Sequence, residues 1–360
     1  MILLAAAALA AVANWIPMRW PTADPASLDL LQQTPINCVL LEPQHWSPAF
    51  LAKARERGIA TVGITAQPWD PKTAAGLDAI LSEAPAQPSS IPVIPFLQRS
   101  SLDFDNATLI ATPQGVWPGI NPPADGQEAK AAPSGAPWID TNAGFLRFAR
   151  AMTKSPIWIA NSPPPNKTYP ITRYLQAASE AAMCGAKWVI ALDADLQRRL
   201  LASDPNALRD FRRLSTLLAF LRDQQPKLEW PPAGQLTLIQ DAKTGALLSG
   251  GILDMIAVKH TPVRPIPAAR VQPGQFRGAL MAVNVDPSIL TANAREALAA
   301  LTRSGGTVLT GPAGWQFPAP RPGQLTLDEK ELLKLDAIWK EVNALTGRRN
   351  LGARLKRCGK

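Results

Sequence analysis

Residues 188–193 read Trp-Val-Ile-Ala-Leu-Asp, residues 37–42 Asn-Cys-Val-Leu-Leu-Glu, and residues 157–161 Ile-Trp-Ile-Ala-Asn. Each run is short and apolar, without the alternation that a strand wetted on one face would show. Such runs suit strands of a parallel sheet covered on both sides. Working outward from them, comparable runs fall at 15–20, 61–65, 78–83, 92–96 and 109–112, making eight strand candidates. Amphipathic helical patterns fall between or after them at 27–33, 47–57, 141–152, 172–184 and 206–223. Eight β-then-α units over roughly 210 residues predict an α/β fold, a compact (β/α)8 TIM barrel spanning residues 14–226. An open doubly wound sheet is the alternative.

A proline-rich break at 226–232 precedes a second region, 233–345. There QLTLIQD (235–241), ALMAVNV (279–285) and GTVLTGP (306–312) read as strands, while 249–260 and 291–303 read as helices. The pattern predicts a smaller, open, flavodoxin-like α/β domain. A charged amphipathic helix is expected at 327–345, followed by a basic tail at 346–360.

The chain has 360 residues, 46% of them apolar and 18% charged, which excludes a disordered polyelectrolyte. Its 36 prolines argue against a helical bundle. The net charge of +9 invites a nucleic-acid reading. Six cations, however, crowd into the last 13 residues, leaving +3 on the other 347. No aromatic residue interleaves them, so no nucleic-acid partner is expected. At the other end, residues 2–12 are apolar and end in Ala11-Val12-Ala13, resembling a secretory signal (1–13) cleaved before Asn14. The run is far below the ~20 residues of a membrane span. The expectation is a periplasmic or secreted protein.

Eleven of the 22 aromatic residues are Trp. Trp20, Trp46, Trp69, Trp117 and Trp138 fall at or just after predicted strand ends, where a barrel keeps its active site. Indoles there can serve as platforms for sugar rings, with carboxylates and amides taking the hydroxyls. Strand ends also supply Arg19, Glu42, Glu83, Asn161 and Asp193, and the loops add Asp140. Paired carboxylates can cleave a glycosidic bond when one protonates the leaving oxygen and the other attacks or activates water. Glu83 is the candidate proton donor and Asp193 the second carboxylate, with Glu42–Asp193 as another pair. Arg19, Glu42, Trp46, Trp69, Trp117, Trp138, Asp140 and Asn161 are the candidate substrate-binding residues, and an oligo- or polysaccharide is the expected partner.

His45 and His260 are the only histidines, so no His-rich metal site exists. Glu42 and His45 could supply two ligands without an evident third, and no metal or other cofactor is expected. No G-x-S-x-G elbow, P-loop or G-x-G-x-x-G motif occurs. Ser249-Gly250-Gly251 could hold an anion at a helix start, or simply turn the chain.

Taken together, GVWPGI (115–120), PWIDTNAGFLRFAR (137–150), GAKWVIALD (185–193) and REALAALTRSGGTVLTGP (295–312) resemble bacterial glycoside-hydrolase-like proteins. In those, a TIM barrel precedes a glutamine-amidotransferase-like or β-galactosidase-trimerisation-like domain. The resemblance covers about residues 14–320. It implies a glycosidase-like protein, with oligomerisation possible through the second domain. Two departures count. The fourth strand ends in Ser82-Glu83 without the preceding Asn of the family, and the seventh ends in Asn161 where the family has a nucleophilic Glu. A Gly-x-Cys-x-Gly turn is also absent from the second region, so amidotransferase activity is not implied. These departures keep a second reading open, a non-catalytic carbohydrate-binding or scaffold protein on the same fold.

Overall fold

The computed structural model describes residues 12–84, 89–120, 139–228, 234–240, 262–284 and 290–310. The expectations for residues 1–11, Trp138, the 249–260 helix with His260, and everything beyond Thr310 lie outside these residues, as does the side chain of Asp140. By contact the chain divides into two compact units. One comprises Met1–Trp117 and Lys154–Glu229, the other Pro118–Thr153 and Trp230–Lys360.

All eight strand candidates of the first unit are present as β1 (Pro17–Arg19), β2 (Cys38–Leu41), β3 (Ala60–Thr65), β4 (Ala79–Ser82), β5 (Val93–Pro95), β6 (Ile110–Thr112), β9 (Ile157–Ile159) and β10 (Lys187–Trp188). The intervening β7 (Gly119–Ile120) and β8 (Ile139–Asp140) form a short antiparallel pair that belongs to the other unit. The eight pair in parallel as a five-stranded sheet, β1-β2-β3-β4-β5, and a three-stranded sheet, β10-β9-β6. Alternate residues of both sheets enter one core cluster: Cys38 and Leu40, Val62 and Ile64, Ala79 and Leu81, Ile94 and Phe96, Leu109 and Ala111, Trp158 and Ala160, and Val189. That is the period-2 arrangement of a pleated strand.

The sequence predicts one continuous ladder, but the ladder is interrupted at two seams, each held by a single parallel bridge, Met18↔Ile190 and Phe96↔Ala111. Both seams fall beside a proline. Arg19 N–H donates to Ile190 O and Ile190 N–H to Pro17 O, so residues 17 and 19 turn their amides toward that seam. Leu97 N–H donates to Ala111 O, so by the same alternation residue 95 faces the other seam. Pro17 and Pro95 have no N–H to give, and each removes the rung that would lengthen its ladder.

Below β1 the chain is tied down by Lys187, whose ammonium donates to the carbonyls of Ala13 and Trp15. Val12 packs into the core cluster. Cleavage before Asn14 would therefore remove a core side chain and one of the two Lys187 acceptors. Among the described residues this unit includes the helices α1 (Pro48–Glu56), α3 (Ile171–Met183), α4 (Ala194–Leu201) and α5 (Pro205–Leu228), and 25–31 is a 3-10 helix.

In the second unit, β11 (Leu236–Gln240), β12 (Val263–Pro267), β13 (Met281–Asn284) and β14 (Thr307–Thr310) form a parallel sheet in the order β12-β11-β13-β14. Numbered within the sheet this is 2-1-3-4, an order used by open doubly wound folds. The helix α6 (Ala292–Arg303) starts where Thr291 Oγ1 accepts from Ala294 N–H at 3.1 Å. One helix moves relative to the sequence reading. The 141–152 segment, taken there as a cover for the first eight strands, forms α2 (Ala143–Met152) and groups with the second unit, packed on β12. Its buried face, with Phe145, Leu146, Phe148, Ala149 and Met152, is apolar enough to serve either sheet, so amphipathicity alone could not choose.

Candidate functional site

At the C-terminal ends of β1, β2, β3, β9 and β10 lies a pocket of about 430 Å³. Arg19, Trp20, Leu40, Glu42, His45 and Ile64 line it from the β1–β3 side. Ser162, Pro163, Pro164 and Pro165 follow β9, while Ala191, Leu192, Asp193, Ala194 and Gln197 follow β10. The volume is that of an ordinary small-molecule site.

Strand register explains the placement of Arg19. It pairs with Leu40, an inward-facing core residue, so its stem leaves the strand on the inner side. The guanidinium lies 3.8 Å from the Glu42 carboxylate. Burial lowers the Arg19 pKa, and the charges of Glu42 and Glu83 oppose that shift. Because the Glu42 side chain is half exposed, the pair contributes at most about 1 kcal/mol to stability. Its value is to the site, where it sets a fixed positive and a fixed negative group side by side. Trp20 is buried with its indole N–H donating to Ser27 Oγ at 2.9 Å. Gln197 reaches back to Leu192 O at 2.6 Å.

Asp193 is buried and its carboxylate is heavily engaged. As N-cap of α4 it accepts from Leu196 N–H through Oδ1 at 3.0 Å. Its Oδ2 accepts from the Tyr174 hydroxyl at 2.8 Å and from Tyr169 N–H at 3.3 Å. Asp193 N–H in turn donates to the Tyr174 oxygen at 2.8 Å. Burial, then the bond to Asp193, push the Tyr174 hydroxyl far above the ordinary tyrosine value. The raised pKa marks stability that is complete below pH 10, the unperturbed tyrosine value, and is lost as pH climbs beyond it. Urea unfolding of wild type should therefore weaken steeply above that pH, and Tyr174→Phe should flatten the decline. At neutral pH the same variant should be less stable by about 1–2 kcal/mol, having orphaned the buried Asp193 N–H and taken from Oδ2 one of its two donors.

The other sequence candidates are placed as follows. Glu83 is exposed beyond β4, its N–H donating to Thr65 O at 3.0 Å; it does not line the pocket but its charge acts on Arg19. Asn161 donates to Gly115 O at 2.6 Å. Trp46, Trp69 and Trp117 are each 8% exposed. Trp46 returns its indole N–H to Leu41 O at 2.9 Å and lies against Gly63, where a Cβ would come within 2.8 Å of the ring. Trp117 stacks on Tyr169 at 4.9 Å and meets Tyr174 and Trp188 edge-on at 5.2 and 5.0 Å. None of these three indoles lines the pocket. Asp140 belongs to β8 of the second unit.

The pocket thus brings together Arg19, Glu42 and Asp193 from the candidates, with the strand-end Trp20 and with His45, which the sequence paired with Glu42, and adds Gln197, Ser162 and the prolines, which carried no motif. Asp193 as a cap was legible: an Asp immediately before the amphipathic 194–201 segment is a helix-start signal. Among the described residues no group of three or more His, Cys, Asp or Glu is placed to hold a metal ion, and no helix is long and apolar enough to cross a membrane.

No family model matches the chain, and no curated protein does. Among solved structures, α-L-fucosidase isoenzyme 2 from Paenibacillus thiaminolyticus superposes with a TM-score of 0.53 at 10% identity, over 84% of this chain and 65% of the fucosidase. The chain therefore spans just under two thirds of that relative. A cold-adapted β-galactosidase from Rahnella sp. R3 (TM-score 0.36, 12% identity, 72% of this chain and 37% of that one) is more distant. So is Gan42B, a GH42 β-galactosidase from G. stearothermophilus (TM-score 0.34, 13% identity, 72% and 38%). The fucosidase match is a likeness of fold: α/β, with parallel sheets of glycosidase-barrel type.

Proposed function

We propose that this chain is a glycosidase-like, carbohydrate-active protein that binds an oligo- or polysaccharide in the pocket beside Arg19. The observation that carries the reading is the pocket itself. It gathers a cation, two carboxylates, an imidazole and an amide at the C-terminal ends of parallel strands, the face where barrel enzymes keep their chemistry. In this reading the two seams complete a (β/α)8 ring, and the 2-1-3-4 sheet is a flavodoxin-like accessory domain through which the protein could oligomerise. Export to the periplasm or beyond belongs to the same proposal.

Of the carboxylates, Glu42 and Asp193 share the pocket, whereas Glu83 does not line it and only its charge acts on Arg19. Hydrolysis would divide the labour. Glu42, in the part the sequence suggested for Glu83, protonates the leaving oxygen, and Asp193 is the second carboxylate, attacking or activating water. One observation favours the non-catalytic reading instead: three hydrogen bonds already converge on the Asp193 carboxylate. Calorimetric titration with oligosaccharides, run beside an assay for released reducing ends, separates the two. If the protein is a hydrolase, Glu42→Gln should lower turnover about 100-fold or more and leave binding within about tenfold. Binding without turnover by wild type assigns the protein as a sugar binder. Neither binding nor turnover across the panel rejects both.

A further inference from the structure

Sugar sites need an apolar surface as well as hydroxyl partners, and here Trp46, Trp69 and Trp117 do not supply it at the pocket. The segment 162–170, Ser-Pro-Pro-Pro-Asn-Lys-Thr-Tyr-Pro, places four prolines in nine residues. Pro163, Pro164 and Pro165 line the pocket beyond β9, while Arg19, Glu42 and His45 line it beyond β1 and β2. A proline has a fixed φ and no N–H, so this wall offers ring methylenes and carbonyl oxygens and cannot donate a hydrogen bond from those residues.

The wall is also built in advance. Lys167 N–H closes a turn onto Pro164 O at 3.2 Å, and Asn166 takes the left-handed conformation, φ 62°, that its short amide tolerates. At the far end Tyr169 is held twice, by its ring stacked on Trp117 with an interplanar angle of 16° and by its N–H on Asp193 Oδ2. A segment fixed at both ends loses little entropy when a ligand docks against it.

We propose that Pro163, Pro164 and Pro165, held in place by the 162–170 segment, form the specificity-determining wall of the site, taking the C–H face of a hexopyranose whose hydroxyls turn toward Arg19, Glu42 and His45. This rests on the reading of the pocket as a sugar site. A donor-free wall discriminates by penalty, because a hydroxyl turned onto it is desolvated and can find only a carbonyl. It therefore favours pyranoses that gather their C–H groups on one face, or that lack a hydroxyl there, over rings with axial hydroxyls projecting from both faces.

Saturation-transfer NMR with a panel of methyl hexopyranosides, some deoxygenated and some with axial hydroxyls on both faces, tests this directly. Wild type should saturate the C–H protons of one ring face most strongly. The double variant Pro164→Ser, Pro165→Ser should bind the preferred glycoside about fivefold more weakly. Both prolines are exposed, so its thermal midpoint should stay close to wild type. Glycosides that bind with saturation spread evenly over both faces, or a double variant of unchanged affinity, would overturn the wall and leave the sugar site standing. Absence of transfer to every glycoside would overturn the sugar site and the wall with it.

Discussion

Asp193→Ala should cost the first unit about 3–5 kcal/mol, the largest single effect we expect. The substitution removes the cap of α4, and it also strips the Tyr174 hydroxyl and the Tyr169 amide of their acceptor. Capping losses run at about 1 kcal/mol, and each buried orphan adds about 1–3 kcal/mol. Set against a typical total of about 5–15 kcal/mol, this is enough to depress the unfolding midpoint severely. Asp193→Asn keeps one oxygen and should cost roughly half as much, which makes it the variant in which to measure sugar binding and turnover. Urea unfolding of both reads the difference. An Asp193→Ala protein as stable as wild type would show that the carboxylate holds nothing in place, and would restore Asp193 as a residue free to serve chemistry alone.

Gly115→Ala should be the second most damaging change, at about 2–3 kcal/mol. A Cβ there would stand 2.8 Å from the carbonyl oxygen of Ala160 and 2.9 Å from the ring of Trp188. Neither neighbour can yield cheaply. Gly115 N–H donates to that same Ala160 carbonyl at 2.8 Å, and Asn161 donates to Gly115 O at 2.6 Å. Trp188 is edge-on to Trp117, so displacing it disturbs the stack that pins Tyr169. Thermal unfolding followed by tryptophan fluorescence should show both a lower midpoint and an altered native spectrum. Gly274→Ala, where an added Cβ meets nothing within 4 Å, should leave both unchanged. If the two variants behave alike, the close approach at Gly115 is relaxed at little cost.

These two residues illustrate what the sequence shows and what it hides. Asp193 was singled out because it ends a strand, and a strand end in a barrel is where catalysis sits. The same position also begins a helix, and the helix claims one of its oxygens. Gly115 lay inside GVWPGI, a stretch noted for its Trp. Its own importance is a 2.8 Å approach between chain segments 45 residues apart, for which no local pattern exists.

The tryptophans make the same point. Their positions at strand ends were legible, but the direction of each ring was not. An indole is large and apolar with one donor, so it gains as much by folding into a loop as by facing a ligand. Trp46 finds the carbonyl of Leu41 and Trp117 finds Tyr169. In this chain the indoles at the strand ends are mostly consumed in holding the loops. The prolines, read at first only as an argument against long helices, emerge as part of the apolar surface facing the pocket, together with Trp20, Leu40 and Ile64.

The amino-acid order alone was enough to specify eight parallel strands, and a second set of parallel strands after the proline-rich break. A strand buried on both faces must be apolar throughout, and that constraint is local and visible. Tertiary contact alone settled where the ladder breaks, which sheet the 141–152 helix covers, and which polar side chains meet at one pocket. Pro17 and Pro95 weaken a ladder only because their missing amides face a neighbouring strand. Arg19 lies beside Glu42 and shares a pocket with Asp193 and the prolines only because the neighbouring strands bring them there. Pairing partners and the direction of a side chain are properties of the assembled strands, and no short window of sequence contains them.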